Sequence, residues 1–322
     1  MSAAVVVVGS FNVDHAWTSA TLPRAGETLS GQYASGPGGK GFNQATAAAR
    51  AGASASFVCA LGDDAGGQLA RELASADGIA LLDQRSDAPT GTAGIFVDSA
   101  GRNCIVLGPG ANAALSAAHV AAHGAAIASA AVLLAQLEVP AAAVAEALHR
   151  GRDVGAATVL NPAPANAEVP EPLLALATFL TPNETEFASL ITHHLGQRID
   201  AEAVAALDQA SLHGLCRQLL PQGSVVLTLG GAGCFVSHPE GDTRGDPAHY
   251  RLPAEPAQVV DTTGAGDAFN GALAAALALS ADAPFAQHAR FAARYAALST
   301  ERPGAAASMP RCDEVAARFG NR

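Results

Sequence analysis

Short, almost wholly apolar runs recur along the chain at 5–8, 56–60, 132–136, 158–160, 178–180 and 224–229. Runs with no polar alternate suit strands covered on both faces, as in a parallel sheet. Between them, alanine-rich stretches place apolar residues at helical spacing over 40–51, 65–76, 116–129, 140–151, 202–220, 265–280, 284–300 and 312–319. This alternation predicts an α/β fold with a doubly wound, mostly parallel central sheet flanked by helices. Residues 12–36 and 89–109 break the rhythm. They are rich in Gly, Thr, Val and Ile with turn residues, including one turn from Asp98 to Gly101, and carry no helical period. They predict the strands of a small accessory β-sheet. No internal repeat or long linker divides the chain, so 1–322 reads as one domain.

Composition narrows the class of function. The chain has 322 residues, 49% of them hydrophobic and 15% charged, which suits a globular chain with ample length for a core. A formal charge of −11 argues against a nucleic-acid surface, which needs a basic stripe to displace counterions. The five cysteines, Cys59, Cys104, Cys216, Cys234 and Cys312, form no Cys-x-x-Cys pair. They predict neither a disulfide framework nor a zinc site, but reduced thiols in a cytoplasm. The start, Met1-Ser2-Ala3-Ala4, lacks a basic n-region, and alanine-rich stretches such as 272–279 fall short of a membrane span. The expectation is a cytoplasmic protein with no membrane or nucleic-acid partner. One count stands out: of 18 basic residues, only Lys40 is a lysine.

Asp261-Thr262-Thr263-Gly264-Ala265-Gly266-Asp267-Ala268-Phe269-Asn270-Gly271 opens the helical pattern at 265–280. Glycines at a helix start let backbone N–H groups converge on an anion, which the helix dipole also favours. An aspartate in that nest would compete with a phosphate unless it takes a proton from a hydroxyl while the N–H groups hold the transferred phosphoryl. A glycine cap followed by a first-turn acid would use some of the same letters, but the length of the string favours chemistry. Gly36-Pro37-Gly38-Gly39-Lys40-Gly41-Phe42-Asn43-Gln44 leads into a second helix, with Lys40 and Asn43 on one face of its first turn. That polar pair suits a polyhydroxylated ligand, and a solvated helix start is an equal reading. Gly41 after Lys40 excludes a Walker A loop.

Asn12 and Asp14 follow the first strand two residues apart and so point the same way in extended chain; an Asx turn is the plainer account. Glu138 ends another strand and puts a carboxylate at the same sheet edge, where open α/β sheets bind ligands. Asn183 and Glu186 share the first turn of a helix, suited to magnesium or its waters, or simply to capping. Thr228-Leu229-Gly230-Gly231-Ala232-Gly233 makes a glycine turn able to approach a nucleotide, or a simple turn between strands.

In this order the motifs resemble the ribokinase-like family of carbohydrate kinases, over nearly the whole chain. Pro23-Arg24-Ala25-Gly26-Glu27-Thr28, Gly110-Ala111-Asn112-Ala113-Ala114-Leu115-Ser116 and Asn161-Pro162-Ala163-Pro164 are further similar strings. The resemblance implies ATP-dependent phosphorylation of D-ribose at its terminal hydroxyl, with Asp267 as general base and the N–H groups of Gly264, Ala265 and Gly266 as anion hole. It implies that Asn12, Asp14, Gly38, Gly39, Lys40, Asn43 and Glu138 hold the sugar. Asn183, Glu186, Thr228, Gly230, Gly233 and Gly266 would serve the nucleotide, with magnesium at Glu186 through water. A monovalent cation, usually potassium, would sit at Asp261, Thr263, Ser299, Arg302, Gly304 and Ser308. The accessory strands would form a sugar lid that also makes a homodimer contact. Ala293 departs from the polar residue related enzymes often carry near adenine. The alternatives are a deoxyribose kinase or fructokinase of the same family, or a sugar-binding regulator without catalysis, which would need no base in an anion hole.

Overall fold

A computed structural model of the chain describes residues 4–320. Met1–Ala3, read above for an export signal, lie outside the described residues. Among the described residues, thirteen strands form two sheets. In chain order they are β1 (Ala4–Val8), β2 (Asn12–Ser19), β3 (Gln32–Gly38), β4 (Ser54–Gly62), β5 (Ala80–Ser86), β6 (Gly91–Asp98) and β7 (Asn103–Gly108). Then follow β8 (Ala130–Ala135), β9 (Ala157–Leu160), β10 (Phe179–Leu180), β11 (Ser224–Thr228), β12 (Cys234–Ser237) and β13 (His249–Leu252).

The large sheet has nine strands in the order β13-β12-β11-β10-β9-β8-β1-β4-β5. All neighbours are parallel except β11–β12 and β12–β13. From β1 the order grows one way through β4 and β5, and the other way from β8 onward. The β1/β8 boundary is therefore a topological switch point, where strand-end loops diverge and leave a crevice. The valines of β1 show why a continuous apolar run was needed. Val5 and Val7 join a core with Phe42, Ala272 and Tyr295 on one face, while Val6 and Val8 join a core with Val144, Leu148 and Phe187 on the other.

The accessory segments form a four-stranded sheet, β3-β2-β6-β7. It grows straight out of the switch point. Asn12, the first residue of β2, pairs with Gly38 at the end of β3 and with Gly91 at the start of β6. The turn from Asp98 is present, closed by the Gly101 N–H on the Asp98 carbonyl at 2.9 Å.

The helices over 40–50, 65–76, 141–153, 265–279, 285–299 and 312–319 match their patterns to within one or two residues. Two patterns divide. The one at 116–129 becomes Ala117–Ala122 and Gly124–Ala128, broken at His123-Gly124. The one at 202–220 becomes Ala201–Val204 and Gln209–Leu219, because Asp208 caps a new start by accepting from Ser211 N–H at 2.9 Å. Strands β5 and β13 carry mixed polarity and lie at the sheet's two edges. Cys59, Cys104, Cys216 and Cys234 are free thiols, and among the described residues no helix is long and apolar enough to cross a membrane.

Candidate active site

The strand ends of β1, β8, β9, β10 and β11 deliver Ser10, Glu138, Asn161, Thr181 and Thr228 to one edge of the sheet. Two glycines let the helix Lys40–Arg50 rest directly on the β1 turn. A Cβ on Gly41 would come within 2.7 Å of the Gly9 backbone, and one on Gly9 within 2.8 Å of Gly41 Cα. Gly39, with φ at 86°, gives that helix no side-chain cap. Its orphan N–H groups are satisfied from elsewhere: Phe42 N donates to the Ser10 carbonyl at 2.9 Å, and Lys40 N donates to Glu138 Oε2 at 3.1 Å. Ser10 Oγ donates to the same Glu138 oxygen at 2.6 Å. Glu138 thus caps the helix with one oxygen and keeps Oε1 for another donor.

Asn12 is oriented by a residue the sequence reading did not assign to the site. Asn112 is buried and clasps the Phe11 backbone, donating to its carbonyl at 2.9 Å and accepting from its N–H at 3.0 Å. Its Nδ2 also donates to Asn12 Oδ1 at 2.8 Å, which leaves Asn12 Nδ2 as the free end. The string around Asn112 was one of the family-like strings, the only signal pointing to it. Asp14 lies against Gly38, where any Cβ would collide with its carboxylate.

Asp267, in the first turn of the helix Ala265–Leu279, faces these groups from the other side. It is 6% exposed. Asn43 Nδ2 donates to its Oδ2 at 2.9 Å and Gln44 Nε2 to its Oδ1 at 2.9 Å. Asn43 Oδ1 is buried and finds no partner among the described residues, an acceptor open to a ligand hydroxyl. Burial raises the Asp267 pKa above the ordinary carboxylate value, against the opposing pull of Lys40 and the two amides. Burial, with Glu138 and Asp267 nearby, pushes Asp14 up to about 7. For Lys40 burial works against the charge, but Asp267, Glu138 and Glu186 outweigh it and leave the ammonium more basic than usual. A pocket of carboxylate and amide acceptors around one ammonium suits a neutral polyol, whose hydroxyls donate.

Beside Asp267, a cavity of about 160 Å³ is lined by Lys40, Asn183, Glu186, Thr228 and Gly264–Asp267. The nest is narrower than expected. Ala265 N–H is already engaged by the Thr262 carbonyl at 3.1 Å, whereas Gly264 and Gly266 N–H find no acceptor among the described residues. Gly264 holds the turn with φ at 74°. Asn183 and Glu186 form a reciprocal capping box, with Glu186 N on Asn183 Oδ1 at 2.8 Å and Asn183 N on Glu186 Oε2 at 2.9 Å. The capping account therefore holds, and both residues still line the cavity. Sharing Asn183, Thr228 and Gly266 with it, a larger apolar cavity of about 360 Å³ runs past Gly230, Gly233, Phe269 and Ala293. Gly230–Ala232 is also the turn joining β11 to antiparallel β12, as the plainer reading of that segment expects.

Asp261 ties two loops together, accepting from Thr263 N at 2.9 Å and Gly304 N at 2.8 Å. Those bonds outweigh burial and hold its carboxyl below the ordinary value. Ser299 and Ser308 hydroxyls donate to the carbonyls of Ala296 and Ala305, both at 2.8 Å. The Arg302 guanidinium turns away to pair with Glu314, so only its backbone is available here. Among the described residues, no group of three or more His, Cys, Asp or Glu side chains could hold a metal ion.

The profile described as pfkB family carbohydrate kinase matches residues 2–312. The chain belongs to this family. The carbohydrate kinase is 37% identical to mouse ribokinase over 314 residues, 96% of this chain and 92% of that protein. It is also 37% identical to a bifunctional ribokinase/ribose-5-phosphate isomerase A of Fructilactobacillus sanfranciscensis, over 97% of this chain but 55% of that protein, about half of its length. Among solved structures, Arabidopsis thaliana ribokinase complexed with ribose and ATP is similar with a TM-score of 0.81 and 30% identity, each chain covered in full at 100%. The kinase carries the large mostly parallel sheet and small second sheet expected from its sequence.

Proposed function

We propose that this carbohydrate kinase transfers the γ-phosphoryl of ATP to the terminal hydroxyl of D-ribose, giving ribose 5-phosphate and ADP. The carrying observation is the placement of Asp267, between the acceptor-rich pocket of Asn12, Asp14, Asn43 and Glu138 and the glycine nest at Gly264–Gly266. Ribose and ATP enter from the relatives, ribokinases by name, one of them solved with both molecules.

In this reading the sugar hydroxyls donate to Asp14, Glu138 Oε1 and Asn43 Oδ1, and Asn12 Nδ2 donates to a sugar oxygen. Gly38 and Gly39 serve the site by close approach, because a Cβ at Gly38 would displace the Asp14 carboxylate and one at Gly39 would strike the backbone of Ser10–Asn12. Asp267 accepts the proton of the attacking hydroxyl, and Gly264 and Gly266 N–H groups meet the phosphoryl oxygens. Lys40 offsets charge between sugar and phosphoryl. The adenosine part of ATP occupies the apolar cavity along Ala293, with its phosphates passing Thr228 and Asn183.

Glu186 keeps one oxygen outside its capping box, a hard donor that suits water-bound magnesium, which would neutralise phosphate charge. Asp261 with the carbonyl-rich loops around Thr263, Ser299, Arg302, Gly304 and Ser308 makes an all-oxygen donor set that suits a monovalent cation such as potassium. The whole chain would work as one kinase unit, in the cytoplasm given the free thiols of Cys59, Cys104, Cys216 and Cys234. The small sheet would act as lid and homodimer contact, because its edge strand β7 exposes Ile105, Val106 and Leu107 at 52%, 65% and 44%. A monomer in sedimentation would remove that last assignment.

ADP release measured with ribose, 2-deoxyribose, fructose and adenosine tests the substrate. Ribose should give the highest kcat/KM; a higher value on any of the others overturns the assignment.

A further inference from the structure

We propose that Gln44 is a positioning residue for Asp267, aimed by a chain of buried amides that ends on the Thr181 backbone carbonyl. The direction of every bond in that chain follows from one fixed point. A backbone carbonyl can only accept, so Asn161 must present Nδ2 to the Thr181 carbonyl, at 2.9 Å. Asn161 Oδ1 then faces Gln44 and accepts from Gln44 Nε2 at 3.0 Å. The second proton of that nitrogen goes to Asp267 Oδ1 at 2.9 Å. Gln44 Oε1 is left pointing the other way and accepts from Gln136 Nε2 at 2.5 Å. A flip of Asn161 would set like against like at two contacts, and a flip of Gln44 at three.

Gln44 and Gln136 have no exposed surface, and Asn161 and Thr181 are also buried. Packing alone does not call for an amide here, since a methionine would fill the volume of Gln44; what it would take away is the acceptor of the buried Gln136 Nε2 and the donor to Asp267. What the relay supplies is direction. With Asn43 on Oδ2 and Gln44 on Oδ1, the carboxylate cannot rotate about its Cβ–Cγ bond, and its unused lone pairs stay turned to the cavity it shares with Lys40 and Gly266. The Gln44 bond also favours the ionised base against its burial.

The inference rests on Asp267 as the base, and the sugar the wild type turns over best is the substrate for its test. In Gln44→Met, kcat should fall about tenfold while KM for that sugar stays within about twofold, as for lost alignment in the transition state. The acid limb of kcat against pH should move upward, because the base loses a donor to its ionised form. Gln136→Met, which leaves the Asp267 bond in place but frees Gln44 Oε1, should shift both readouts the same way by less, and carries the test if Gln44→Met does not fold. A fall in kcat with an unmoved acid limb, or an unchanged kcat, overturns the role of Gln44. Full turnover in Asp267→Asn would instead remove the base itself.

Discussion

The Lys40 backbone N–H donates to Glu138 Oε2 at 3.1 Å, which moors the helix start by its main chain and leaves the side chain for the cavity beside Asp267. The sole lysine of the chain is therefore separable from the fold. Lys40→Arg keeps the charge but puts a planar guanidinium where a compact ammonium stands, in a cavity of about 160 Å³. Its kcat/KM should fall on the order of tenfold or more with little change in Tm. Steady-state kinetics and thermal melts check this, and wild-type kcat/KM would return Lys40 to a surviving accident of composition.

Asp267→Asn keeps the shape of the base and loses its proton affinity. Turnover should drop by about 100-fold or more, with KM for the sugar near the wild-type value. In the wild type, kcat should decline as pH falls through a pKa above the ordinary 3.8, because burial favours the protonated carboxyl. A pH profile flat down to that ordinary value would contradict the buried base.

Asp14 should make the unliganded protein less stable at alkaline pH. Its pKa rises from 3.8 to about 7 on folding, so across that window the folded chain holds a proton that the unfolded chain has released. Stability falls as pH rises through the window, and above it the ionised carboxylate is a standing cost. Asp14→Asn should raise Tm at about pH 8, with the gain vanishing at about pH 4. Equal melting curves for both proteins at the higher pH would reject the shift. The same variant should bind the sugar more weakly.

Replacing potassium by a large inert cation should lower activity several-fold, and Asp261→Asn should lose that response. Because Asp261 also joins the 263 and 304 backbones, the variant should melt at a lower temperature as well. Activity indifferent to the cation in the wild type would discard the cation site.

Much of the fold was legible along the chain. The apolar runs at 5–8 and 132–136 became central strands because a strand covered on both faces must be apolar at nearly every position. Edge strands β5 and β13 escaped the same criterion because only part of their surface is covered, so polar residues interrupt the pattern. The division of the 202–220 pattern turned on a single cap at Asp208, a local competition that helical spacing does not register.

By itself, the sequence determined the helix starts with their glycines, the acid at position 267 and the family motifs, because turns, caps and helix ends are settled by residues a few positions apart. Only the tertiary structure decided who works with whom. Glu138 caps a helix 98 residues away, Asn112 aims Asn12 from 100 residues away, and Gln44 reaches Asp267 across 223. Those contacts follow from strand order at the β1/β8 switch point, which no local period encodes. The same packing withdrew Ala265 N–H from the expected anion hole and turned the Arg302 side chain toward Glu314. A hydrogen-bond partner is chosen by what folding brings near, and that is a property of the assembled sheet.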